Sequence, residues 1–143
     1  MVNIQGKLNE IFESEIVSYT FDILGNKLEM DLSLLDGGEK QNFHLEILGI
    51  SAYYYVNNNG EIRKVFSEKE EDDYLELTSI TLLQEFVDIN IVSKNSKWLE
   101  QYSSKGNLVI ELWDKLLILE MTTIILDDYK FELVESDTLN FGF

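Results

Sequence analysis

The chain has 143 residues, 45% of them hydrophobic, enough for one domain with an ordinary buried core that needs neither metals nor crosslinks. It contains no cysteine, which excludes disulfides, thiolate nucleophiles and Cys-based zinc sites and suits a reducing compartment. With 27 acidic against 11 basic side chains the net charge is −16, a surface that repels phosphate backbones and anionic lipid and favours a basic partner over nucleic acid or a membrane.

The same charge also serves solubility with no partner at all. The N-terminal MVNIQGKLNEIFESEI mixes Glu and Asn into its apolar positions and so lacks the unbroken apolar run of a signal peptide. No window approaches a membrane span of about 20 apolar residues. The expectation is a cytoplasmic protein.

Ile4, Leu8, Ile11 and Phe12 fall at helical spacing and predict a short amphipathic helix over Asn3 to Glu13. The period then changes to two. In EIVSYTFDIL the apolar set is Val17, Tyr19, Phe21 and Ile23, and in KLEMDLSLL it is Leu28, Met30, Leu32 and Leu34. Gly25-Asn26 between them suits a two-residue hairpin loop, which would set Ile23 opposite Leu28 and Phe21 opposite Met30.

After the Asp36-Gly37-Gly38 loop, Phe43, Leu45 and Ile47 share one face, but beyond Gly49 the apolar set shifts by one to Ile50, Ala52, Tyr54 and Val56. A bulge near Gly49 would bring both sets to the core and turn Tyr53 and Tyr55 outward. Asn57 to Gly60 predicts a turn and Glu61 to Phe66 a short edge strand. DYLELTSITLL and EFVDINIV read as further strands.

SKWLEQYSSKG reads as a short helix near residues 96–103, with Ser96 as N-cap and Gly106 near its end. NLVIELW and LLILEM flank Asp114-Lys115, a hairpin that would pair Leu112 with Leu117 and Ile110 with Leu119. Around Asp127-Asp128, Leu126 faces Tyr129 and Ile124 faces Phe131. The inward set changes parity across Thr122-Thr123, which predicts a bend or bulge there. The fold expected is mainly β, a curled antiparallel sheet, barrel or roll of about eight or nine strands with a short N-terminal helix, in a single domain.

Chemistry-bearing motifs are sparse. His44 is the only histidine and reads as a structural residue on a strand, and no G-x-S-x-G occurs, so no catalytic residue is assigned. Glu111 and Glu120, on neighbouring strands, are the one carboxylate pair that resembles a glycosidase arrangement. EKEEDD lacks the spacing of an EF-hand loop and DGGEK is no phosphate-binding motif, so no metal or cofactor is expected. Tyr53, Tyr54 and Tyr55, with Phe66 and Tyr74 nearby in sequence, lack interleaved Lys or Arg and make a poor stacking platform for nucleic acid.

Taken in order, ILGISAYYYV, an acidic loop, YLELTSI, WLEQY and NLVIELWDKLLILEMTTIILDDYKFEL resemble the YxiG-like family of small bacterial proteins of Bacillus type. These are associated with polymorphic toxin loci and regarded as candidate immunity proteins. The resemblance runs from about Glu15 to Leu133 and implies a non-enzymatic protein that binds and blocks a cognate toxin domain. Its motifs are hydrophobic patterns and turns, so it transfers no functional residue to a position of this chain. Toxin domains that act on nucleic acid tend to be basic, and an anionic face would steer their association and occupy the groove meant for phosphates.

In that reading Glu68, Glu70, Glu71, Asp72 and Asp73 form an electrostatic docking loop, with Tyr53 and Tyr55 as interface anchors beside it. As a bland connection the same run is a solvated, mobile loop. Two other readings predict different interiors. A small-ligand-binding β-barrel of the lipocalin or calycin type needs an open apolar pocket, and a hydrolase needs two buried carboxylates about 5 to 9 Å apart in a cleft.

Overall fold

The computed structural model describes residues 3–66 and 68–133. Helix α1 (Ile4–Asn9) is followed by β1 (Ser14–Asp22), β2 (Lys27–Asp36), β3 (Glu39–Leu48), β4 (Ala52–Asn57), β5 (Leu75–Leu77), β6 (Ser79–Ile89), β7 (Ser104–Leu112), β8 (Lys115–Glu120), β9 (Thr123–Leu126) and β10 (Tyr129–Glu132). The protein is mainly β and antiparallel, as expected. The described strands form two sheets and no closed barrel: six strands in the order β10-β9-β3-β2-β1-β5, and four in the order β4-β8-β7-β6.

The chain changes sheet between β3 and β4, between β4 and β5, between β5 and β6, and between β8 and β9. Two of these corners are the parity changes expected at Gly49 and at Thr122-Thr123. They meet each other in space. Gly49 has φ +64°, and a Cβ there would collide with the Thr122 side chain. Leu48 O accepts from Thr122 N at 3.1 Å and from Thr122 Oγ1 at 3.3 Å, so the two corners are clamped by their own backbone.

The inner faces of the two sheets share one core. Leu32, Leu45, Ile47 and Ile124 from the first sheet and Ile80, Leu108, Ile110 and Leu119 from the second are completely buried. Each contributes about 1.5–3 kcal/mol of transfer free energy. Asn107, buried among them, donates to Met121 O at 2.9 Å and accepts from Met121 N at 3.0 Å, which satisfies the backbone where the strand leaves its ladder. Among the described residues no helix is long and apolar enough to cross a membrane.

Helix α1 is shorter than its periodicity predicts, because the chain passes into turns after Asn9 and reaches a positive φ of 68° at Glu13. Ile4, Leu8 and Ile11 are nonetheless buried. Gln5 extends the second sheet by side chain: its Nε2 donates to Ile80 O at 2.9 Å and its Oε1 accepts from Leu82 N at 2.8 Å, next to the irregularity in β6.

The first hairpin has a different register from the one expected. Asp22 pairs with Lys27 and Phe21 with Leu28, so four residues, 23–26, form the loop. The cause is Asp22: its Oδ1 accepts from Gly25 N at 2.9 Å, and the positive φ of 55° falls on Asn26. Ile23 and Leu24 are thereby left exposed, and a register shift between Ile16 and Ser18 puts Ile16 in the core and leaves Val17 exposed. The slip is by two residues. A slip of two preserves the faces, so Leu28, Met30 and Leu32 remain inside.

The β7–β8 hairpin is shifted in the same way. Leu112 pairs with Lys115 and Ile110 with Leu117, so Trp113-Asp114 is the loop and Trp113 takes φ +60°. The β9–β10 hairpin has the register expected, Leu126 with Tyr129 and Ile124 with Phe131. Residues Glu61 to Phe66 form no strand; a 3-10 turn at Gly60–Ile62 leads into a segment held by side chains instead. Asn57 Nδ2 donates to Arg63 O and Val65 O at 3.0 and 3.2 Å, and Asn58 Nδ2 donates to Val65 O at 3.1 Å.

The second helical segment is a 3-10 helix at Lys97–Tyr102. Ser96 precedes it but makes no side-chain cap; its N–H donates to Ser93 Oγ at 3.0 Å. Gly106 lies inside β7, where a Cβ would collide with the Ile118 side chain, so close strand packing and not helix termination explains it.

Candidate functional site

The two sheets do not close over their inner faces at one end, where an open cleft of about 380 Å³ remains. The first sheet lines it with Tyr19 and Phe21 of β1, Leu28 and Met30 of β2, and Leu75 of β5. The second contributes Tyr53 and Tyr55 of β4, Leu112 of β7, and Lys115 and Leu117 of β8. Leu28, Met30, Leu112 and Leu117 are the buried floor, while the tyrosines are half exposed at the mouth.

Tyr53 and Tyr55 lie here because of register. They pair with Leu119 and Leu117, so they share the core face of β4, whereas Tyr54 pairs with Ile118 on the other side. This reverses the orientation expected from the parity of Ala52, Tyr54 and Val56. The segment 49–51 absorbs the odd residue: Ser51 N donates to Glu120 O at 2.8 Å before the ladder begins. Phe21 and Tyr53 then meet across the gap between the sheets, ring centroids 4.7 Å apart. Burial pushes the Tyr53 hydroxyl pKa up, with the neighbouring Tyr55 and Tyr19 adding to it, so it stays protonated at neutral pH.

Among the described residues Lys115 is the only charged side chain lining the cleft. Its Nζ donates to Asn57 Oδ1 at 2.8 Å and to Asp114 Oδ1 at 3.2 Å. Two of its three N–H groups are thus committed.

The acidic segment is an exposed turn, closed by Asp73 Oδ2 accepting from Glu70 N at 2.7 Å and by Asp73 N donating to Glu70 O at 3.1 Å. None of the carboxylates of Glu68, Glu70, Glu71, Asp72 and Asp73 forms an ion pair among the described residues. Two residues beyond Asp73, Leu75 lines the cleft, and Tyr74 between them is exposed. The fold therefore leads the acidic turn directly into the cleft that holds Tyr53 and Tyr55. Sequence reading did not assign Phe21, Leu28, Met30, Leu112 or Leu117 to a site, since their alternation marks only a core face.

A second polar cluster occupies the outer face of the six-stranded sheet. Asp31 Oδ1 lies 2.8 Å from His44 Nδ1, and Ser18 Oγ donates to Asp31 Oδ2 at 2.9 Å. The bond to Asp31 raises the His44 pKa above its ordinary value, helped by Glu46 and Glu29, and the same bond lowers that of Asp31. Lys27 Nζ stands 2.9 Å from Glu29 and 3.8 Å from Glu46. The ligand atoms of Glu29, His44 and Glu46 lie within 4.8 Å of one another, close enough to share a cation, but the Lys27 ammonium already pairs with both glutamates.

Glu111 and Glu120 do not come together. Glu111 pairs with Leu116, four residues from Glu120, which separates the two by about 13 Å along the strands. Each has its own partner: Ser79 Oγ donates to Glu111 at 2.7 Å, and Lys105 N to Glu120 at 3.2 Å.

Comparison with known protein families matches residues 4–131 to the family described as YxiG-like protein. No curated protein matches the chain.

Proposed function

The chain belongs to the YxiG-like family, and from that premise we propose that it is a non-enzymatic acidic binding protein that acts in the cytoplasm and neutralises a cognate basic toxin domain by direct protein–protein contact. The observation that carries this reading is the junction of the unpaired acidic turn with the aromatic cleft through Tyr74 and Leu75. Carboxylates without ion-pair partners project a field that accelerates encounter with a cationic surface. Tyrosines at the mouth of a pocket supply rigid contact area at low entropic cost, as interface anchors do. A toxin domain that acts on nucleic acid would present the basic groove this surface complements.

The test is charge reversal of Glu70, Glu71, Asp72 and Asp73 to Lys, with the toxin domain encoded by the neighbouring open reading frame as ligand. Association should slow at least tenfold at low salt, and the salt dependence of the rate should shrink. Unchanged affinity and salt dependence would remove the acidic turn from the interface. A neighbouring gene product without a basic C-terminal domain would remove the partner.

A further inference from the structure

The cleft also has the size and lining of a small-molecule site. Its volume of about 380 Å³ falls in the usual range for ligand pockets, and its floor is apolar with few polar groups. We propose that it binds a neutral, largely apolar small molecule that carries a hydrogen-bond acceptor, with the apolar body on Phe21, Leu28, Met30 and Leu117 and the acceptor at Lys115. This goes beyond toxin neutralisation and does not rest on it.

Charge selects the ligand class. A chain of net charge −16 repels anions as they approach. Inside the cleft the Lys115 ammonium is paired with Asp114 and no carboxylate is among the lining residues, so a small cation finds no counter-charge there. A neutral ligand meets neither barrier.

The polar inventory supplies the acceptor. Lys115 Nζ commits two of its three N–H groups, to Asn57 and Asp114. The Tyr53 and Tyr55 hydroxyls have no hydrogen-bond partner among the described residues, so the mouth holds further unspent donors. Phe21 and Tyr53, one ring from each sheet, touch across the gap at 4.7 Å and form an aromatic wall on which a ligand can pack.

The probe is Prodan, an uncharged naphthalene with a ketone acceptor and polarity-sensitive emission, titrated into the whole chain labelled with 13C at its methionine methyls. Saturable one-to-one binding with a blue shift is expected. The Met30 methyl should shift while that of Met121, buried in the core away from the cleft, stays in place. Lys115→Met should weaken binding about tenfold, the factor for losing a hydrogen bond from a charged group. Leu75→Trp should abolish it by filling the cleft, and Trp98→Ala, outside the cleft, should leave it unchanged.

An unmoved Met30 methyl would overturn the proposal, and this readout needs no variant to fold. Equal loss in Trp98→Ala would place the probe on the exposed aromatic surface and overturn it as well. So would equal affinity for an anilinonaphthalene sulfonate or a naphthylmethyl ammonium, since the ligand would then not be neutral. A Met30 shift that follows protein concentration without probe would assign the cleft to a second copy of the chain.

Discussion

Replacing Gly49 with Ala should destabilise the protein through two separable terms. The first is conformational: at φ +64° an L-residue costs about 1–2 kcal/mol. The second is steric, because the new Cβ would overlap the Thr122 side chain at the adjoining corner, and overpacking of this kind costs about 1–3 kcal/mol. The sum is about 2–5 kcal/mol, a large part of the stability of a domain this size. Thr122→Ala should by itself cost under about 1 kcal/mol, since Thr122 is exposed and its hydroxyl makes only long contacts of 3.3 Å, to Leu48 O and to Thr123 Oγ1. In the Thr122→Ala background, however, the overlap with the hydroxyl and methyl is gone, and Gly49→Ala should cost only the conformational 1–2 kcal/mol or so. Urea unfolding of the four proteins of the cycle, at unchanged m-value, measures this. A coupling below about 0.5 kcal/mol would refute the idea that the two corners fit against each other.

Three further outcomes follow from particular contacts. Asn107→Ala leaves Met121 N and Met121 O unpartnered in the core and should lower stability by about 2–4 kcal/mol in urea, whereas a loss under about 1 kcal/mol would mean that water or the backbone replaces the side chain. Leu119→Ala removes a completely buried side chain from the second sheet and should cost about 2–5 kcal/mol, checked by the same assay. In the exposed pair His44 and Asp31, the raised His44 pKa means that its contribution to stability is complete below about 6.5 and is lost as pH rises through the folded value. The lowered Asp31 pKa means its contribution is present above about 3.9 and is lost as pH falls through the folded value. NMR titration should place His44 above 6.5 or so and return it toward that value in Asp31→Asn; an unchanged midpoint in that variant would remove Asp31 as the cause.

Composition decides part of the candidate site, and strand register decides the rest. The acidic run Glu68 to Asp73 is legible because charge density needs no tertiary partner to be exposed. The tyrosines were legible as residue types only. Whether Tyr53 or Tyr54 faces the core depends on how many residues the corner at 49–51 absorbs, and that number is set by contacts with Glu120 and Thr122. In the sequence His44 is likewise an isolated strand residue, since its partner Asp31 comes opposite it only in the register of β2 and β3.

By itself the sequence determined the mainly antiparallel β class, the parity of the core faces of β2, β3 and β7 to β10, the two corners at Gly49 and Thr122, and the tight turn at Asp127. These depend on local quantities: alternation with period two, a breaker residue, a turn dipeptide. Tertiary structure decided the two-residue slips at the first and third hairpins, the bulge that exposes Val17, and the cleft between the sheets. A slip of two keeps every apolar side chain on its face, so hydrophobic pattern is blind to it. Only the bonds made by Asp22, by Trp113 and by the opposing sheet choose among registers that bury the same residues.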